Sequence, residues 1–120
     1  MTESSGIFTF PSTGIYLVTF NASFYRVNAG DRATQVIIQV STDGGSNYDQ
    51  VGNTYGGITG EAPSAANFGH VQTQAFVDVT STANVKVKFS FAVFGNSATT
   101  LDGNTAGNET YMNFIRLGDT

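Results

Sequence analysis

GIFTFPSTGIYLVTF, residues 6–20, sets two short alternating runs around a four-residue turn. Ile7-Phe8-Thr9-Phe10 reads as one strand. Pro11 pre-sets φ for the turn and Gly14 can take a positive φ. Tyr16, Val18, Phe20, Ala22 and Phe24 then alternate with Leu17, Thr19, Asn21 and Ser23, so a long strand follows with one strongly apolar face.

The same period of two recurs along the chain. Val36, Ile38 and Val40 alternate with Gln35 and Gln39. DGGSN, residues 43–47, has hairpin-turn chemistry. A short strand over 48–55 precedes a small-residue loop over 56–67. Val71, Ala75, Val77 and Val79 mark another strand, with Gln72, Gln74 and Asp78 outward. Val85, Val87, Phe89, Phe91 and Val93 give the cleanest alternation. A long polar loop over 95–109 leads to a last strand over 111–117. No stretch keeps a helical apolar stripe, so an all-β sandwich of two antiparallel sheets is expected. Its expected core includes Val18, Phe20, Ile38, Val87, Phe89 and Phe91. The 120 residues suit a single domain, 1–120, and show neither a linker nor an internal repeat.

Only 12% of the residues are charged, about half the usual share. A net charge of −4 with five basic residues argues against nucleic acid, which calls for clustered Lys and Arg. Lys86 and Lys88 share one strand face and read as solvated. The absence of cysteine excludes disulfides, thiol catalysis and Cys-based zinc sites. No apolar run approaches the ~18 residues of a membrane helix, and no signal-peptide pattern opens the chain.

Chemistry is scarce. The single His70 removes a paired-His metal site and an obvious proton relay. There is no Gly-x-Ser-x-Gly elbow. The carboxylates Glu3, Asp31, Asp43, Asp49, Glu61, Asp78, Asp102, Glu109 and Asp119 fall mostly in turns, where Asp bonds locally, and form no evident glycosidase pair. Asp102 and Asn104 begin a faint echo of a calcium loop, which fails at its fifth position (Ala106) and its twelfth (Asn113). The sequons at Asn21 and Asn108 read as chance. Neither an enzyme nor a cofactor is expected.

Surplus aromatic residues say more. The strand over 15–25 is apolar in part on both faces, as are the strands around Phe94 and Phe114. A strand apolar on both faces is covered twice, and in a two-layer protein the second cover is another subunit. Tyr16, Phe94, Met112 and Phe114 are the candidate interface side chains. The candidate strands are 15–25, 85–94 and 110–117, expected together in the one sheet that lines the subunit interface. A one-residue register shift would exchange core for interface.

Gly6-x-Phe8-x-x-Pro11-x-x-Gly14-x-Tyr16-x-Val18-x-Phe20 resembles the signature of the complement globular-head branch of the TNF-like jelly rolls. TYMNFIRL, residues 110–117, resembles that family's closing strand, and VTSTANVKVKF, residues 79–89, its penultimate hairpin. SSGIFTFPSTG paired with FIRLGDT is similar to domains of tailed-bacteriophage virion proteins from marine and environmental sources. The resemblance implies a TNF-like jelly roll assembled as a homotrimer and seated on the virion surface. It implies contacts with other capsid or tail proteins and no membrane insertion. The expected role is a trimeric surface knob or capsid decoration (cement) protein. The alternative is the receptor-binding tip of a tail fibre that recognises bacterial surface glycans. A polysaccharide-cleaving enzyme would need the acid pair that the sequence lacks. Family members carry two further strands before the Gly-x-Phe segment, roughly 30 residues. The expectation here is that these strands are missing, with the chain a fragment or a neighbour supplying the strand.

Overall fold

A computed structural model describes residues 1–26, 31–58, 67–95 and 98–120. Nine strands follow in chain order: β1 (Thr2–Ser4), β2 (Ile7–Thr9), β3 (Gly14–Arg26), β4 (Ala33–Ser41), β5 (Asp49–Gly57), β6 (Asn67–Val79), β7 (Lys86–Phe94), β8 (Thr99–Asp102) and β9 (Tyr111–Gly118). Among the described residues there is no helix. Every strand pairing is antiparallel. One sheet has five strands in the order β1-β2-β7-β4-β5. The other has four: β3 pairs with β6 along one edge and with β8 and β9, end to end, along the other.

The alternation written into β3 closes the core between the sheets. Tyr16, Val18, Phe20, Ala22 and Phe24 point inward from β3, and Val71, Ala75, Val77 and Val79 do so from β6. They meet Val36, Ile38 and Val40 of β4 and Val87 of β7. Val18, Val36, Ile38 and Val87 are fully enclosed, and Phe20 nearly so. Phe89 and Phe91, expected at the centre, are only half-buried and pack against the cluster from its margin. Phe89 lies near the open end of the sandwich, where Phe8, Phe89 and Phe114 meet with ring centroids 5.3–5.8 Å apart.

Turn chemistry follows the sequence where special backbone angles are needed. Gly14 has φ +138°, and a Cβ there would lie 2.7 Å from the Arg116 Nε. The turn into β3 therefore accepts glycine alone. Ser41 and Asp43 organise the DGGSN turn. The Asp43 carboxylate accepts from the backbone N–H groups of Ser46 (3.0 Å) and Asn47 (2.9 Å), and from the Ser41 hydroxyl and the Asn47 amide. These donors, the Asn47 backbone N–H first, hold the Asp43 carboxyl far below the ordinary carboxylate range.

Four elements differ from the sequence reading. Residues 2–4, expected as bare lead-in, form an edge strand. Ser5 and Gly6 both take positive φ and turn the chain into β2, the geometry of a two-residue type I′ hairpin. The expected polar loop over 95–109 contains β8, which pairs with the end of β3. β6 begins at Asn67, earlier than its first apolar residue suggests, because the long β3 pairs with it to its last residue, Arg26. β7, expected beside β3 and β9, belongs to the opposite sheet, between β2 and β4. Of the loop expected over 56–67, residues 59–66 lie outside the described residues, Glu61 among them.

Candidate interaction surfaces

Register decides which side chains of β3 and β9 face outward. Tyr16 is opposite Val77, Phe114 opposite Val18, and Met112 opposite Phe20. All three candidates thus sit on the core side. Tyr16 is 3% exposed, its ring 4.7 Å from that of Phe10 and its hydroxyl donating to the Ser12 carbonyl. Met112 and Phe114 are half-buried against the core. Phe94 is exposed, but on the outer face of the five-stranded sheet. The structure does not bring the four together on one surface. The physical reason is the one-residue register: both faces of residues 15–20 are apolar, and the larger residues went inside.

The outward residues of the same strands form a compact apolar stripe. Leu17 is directly opposite Phe76 on one side and Ile115 on the other. Phe76 is 71% exposed, Ile115 52% and Leu117 54%, and Ile15 extends the stripe toward the Gly14 turn. Asp78, across from Ile15, borders it with charge, and Asn113 and Gln74 with neutral polar groups. An apolar centre within a polar rim is the arrangement of a protein–protein interface. The sequence signal for Phe76 is its place between Gln74 and Asp78, on the outward face of the strand, which also carries the exposed Phe68.

Beyond the stripe the same face turns polar before it ends on the Tyr25 and Phe68 rings, 6.1 Å between centroids. Asn21 donates to the Glu109 carbonyl at 3.3 Å and bonds His70. Thr110 accepts from the Ser23 N–H at 3.1 Å and donates to the Asp102 carbonyl. His70 is thus tied to a structural amide, and the start of β9 is fastened to β3. Asn104 is engaged in its own turn, accepting from the Ala106 N–H at 2.8 Å and donating to Glu109 Oε1 at 3.2 Å. Among the described residues no three His, Cys, Asp or Glu side chains gather as a metal site. Asp31 is buried, where Thr99 donates to its carboxylate at 2.7 Å and Arg26 to its carbonyl at 2.9 Å. That cluster ties the ends of β3, β4 and β8. Lys86 donates to Thr9 and to the Thr82 carbonyl, both at 3.1 Å, and the Lys88 ammonium stands 4.0 Å from the centre of the Tyr48 ring. The two lysines are therefore engaged with neighbours as well as solvated.

No family model and no curated protein matches this chain.

Proposed function

We propose that this chain is a structural interaction protein of a bacteriophage virion, a TNF-like jelly roll that assembles as a homotrimer through the outer face of the β6-β3-β9 sheet. The observation that carries the reading is the Phe76–Leu17–Ile115 stripe. A contiguous patch of this kind marks an interaction site more readily than scattered apolar exposure does, and a closed symmetric assembly would bury it without leaving a sticky surface. The chain path supports the jelly roll. It crosses from β2 to β3, back to β4 and β5, across to β6, back to β7 and across again to β8 and β9. The resemblance of residues 6–20 and 110–117 to the TNF-like signature supplies the threefold and the virion. A low charge content suits an interface protein, because Lys, Glu and Asp are depleted from interface cores.

Within that reading the domain is a surface knob or capsid decoration protein without catalysis, and its partners are its own copies and neighbouring virion proteins. Light scattering coupled to gel filtration should return three chain masses. Leu17→Asp should return one chain mass with an unchanged β-type circular dichroism spectrum. A well-folded wild-type monomer at micromolar concentration would reject the interface. Counting copies in purified particles by quantitative mass spectrometry separates a decoration protein, present at about the number of capsid trimers, from a tail-fibre tip, present in few copies.

A further inference from the structure

The geometry points to a binding site for uncharged glycan built from the outer face of β4, β5 and β7 and the cleft between β5 and β6. Two observations meet at Asn53. The first is an aromatic platform. Tyr55 is 60% and Phe94 44% exposed, and their ring centroids are 5.8 Å apart with the planes at 45°. They come from strands on either side of β4. Ala33 is opposite Gly57 and Phe94, and Ala92 lies across from Gln35, so small residues leave the rings standing clear of the sheet.

Beside the rings lies a preset polar array. The Gln35 amide donates to Asn53 Oδ1 at 2.9 Å and to the Tyr55 hydroxyl at 3.1 Å. Both its hydrogens are spent on this, which fixes three side chains at once. The Gln35 carbonyl oxygen, the Asn53 NH2 group and the Tyr55 O–H hydrogen remain for a ligand.

The second observation is a cleft of about 540 Å³ lined by Val51, Gly52, Asn53, Thr54, Gln72, Thr73 and Gln74. That volume falls in the range of small-molecule sites, about 300–1,000 Å³. Gly52 keeps the sheets close at this point, since a Cβ there would lie 3.2 Å from the Thr73 hydroxyl oxygen. None of the lining residues is charged. Asn53 belongs to both the platform and the cleft, so the two make one continuous surface.

The chemistry selects the ligand. The weakly positive C–H face of a pyranose packs on the negative face of an aromatic ring. Its hydroxyls pair with amides and hydroxyls, which donate and accept at once. A phosphate, sulfate or nucleic acid would require a cation; the cleft lining supplies none, and Lys88, farther along the outer face of β7, is held over the Tyr48 ring. The site lies on one chain and needs no neighbouring copy; because Gln72 and Gln74 share a face of β6 with Phe76, binding is also measured on the Leu17→Asp monomer, which separates the site from the trimer.

The full chain is screened on an array of neutral and acidic oligosaccharides, and hits are measured by titration calorimetry. Binding to neutral glycans is expected, with no preference for sulfated or sialylated ones. Tyr55→Ala should weaken it about threefold to tenfold, the scale of one aromatic contact. Asn53→Ala should weaken it about fivefold, the scale of one hydrogen bond. Gln74→Ala, on the other wall of the cleft, should act in the same direction. Asn113→Ala, on β9 at the far edge of the other sheet, should leave the per-chain affinity unchanged. Circular dichroism confirms that each variant keeps the wild-type fold. Three results would overturn the site: no neutral glycan bound, preference for acidic glycans, or affinity unmoved by both Tyr55→Ala and Gln74→Ala.

Discussion

Replacing Gly69 by alanine should destabilise this protein, although the usual expectation for a strand is the reverse. Glycine inside a strand costs about 0.5–1 kcal/mol relative to alanine through lost backbone entropy. Gly69, however, is directly opposite Phe24 in the β3–β6 register, and the Phe24 ring lies over it. A Cβ on residue 69 would come within 2.5 Å of Phe24 Cε2, and closer still to Cζ. The ring has no room to retreat, being 1% exposed, with Phe91 behind it at 6.1 Å between centroids. Overpacking a filled core costs about 1–3 kcal/mol. Subtracting the entropic gain leaves a net loss of about 1–2 kcal/mol. With a slope of about 2 kcal/mol per molar urea, the unfolding midpoint should drop by roughly 0.5–1 M. The measurement is urea unfolding followed by far-ultraviolet circular dichroism at one fixed chain concentration, since an oligomer's apparent stability depends on it. The decisive control is Phe24→Leu, which shortens the obstructing side chain. In that background Gly69→Ala should be neutral or stabilising. A midpoint that rises in the wild-type background, or falls equally in both, would refute the reasoning.

Phe20→Ala should cost about 3–5 kcal/mol and Phe91→Ala about half as much, because Phe20 is enclosed while Phe91 is half-buried; equal losses by denaturant unfolding would contradict the core as described. Asp43 is held ionised by its turn, so its contribution is complete above its unfolded pKa of about 3.9 and fades as pH falls toward its lower folded value. The stability gap between wild type and Asp43→Asn should accordingly be constant above about pH 5 and narrow below about pH 4. A gap that widens on acidification would show the turn to be held otherwise.

The strands β3 and β7 are legible because each keeps one apolar face, and β6 is legible from Val71 onward although Thr73 interrupts its inward face. β1 and β8 were not. Thr-Glu-Ser and Thr-Thr-Leu-Asp carry no apolar alternation, and they become strands because a neighbour's edge is available to them. The faces of residues 15–20 were ambiguous for a related reason. Ile15 and Leu17 are nearly as apolar as Tyr16 and Val18, and periodicity of two carries no sign for in or out. Position in the sequence also hides the Tyr55–Phe94 pair, since the strand that brings the rings together, β4, precedes both. The doubly apolar strand is legible in the sequence, and its outward side chains, Ile15 and Leu17, lie one residue along from Tyr16.

β3 is the strand on which its whole sheet hangs, and its partners are made at very different times. β6 follows within some fifty residues, but Leu17 waits for Ile115, which is 98 positions later (115 − 17). At about 5–20 residues per second, a nascent chain spends roughly 5–20 s with that edge of β3 unpaired. Pairing across such a separation is also slow in itself, because the loop must be closed before any contact rewards it. The last eight-residue strand is therefore the latch of the molecule. Until β9 leaves the ribosome, the chain offers an open β-edge beside its own half-built core, and a polysome carrying many such chains places those edges side by side.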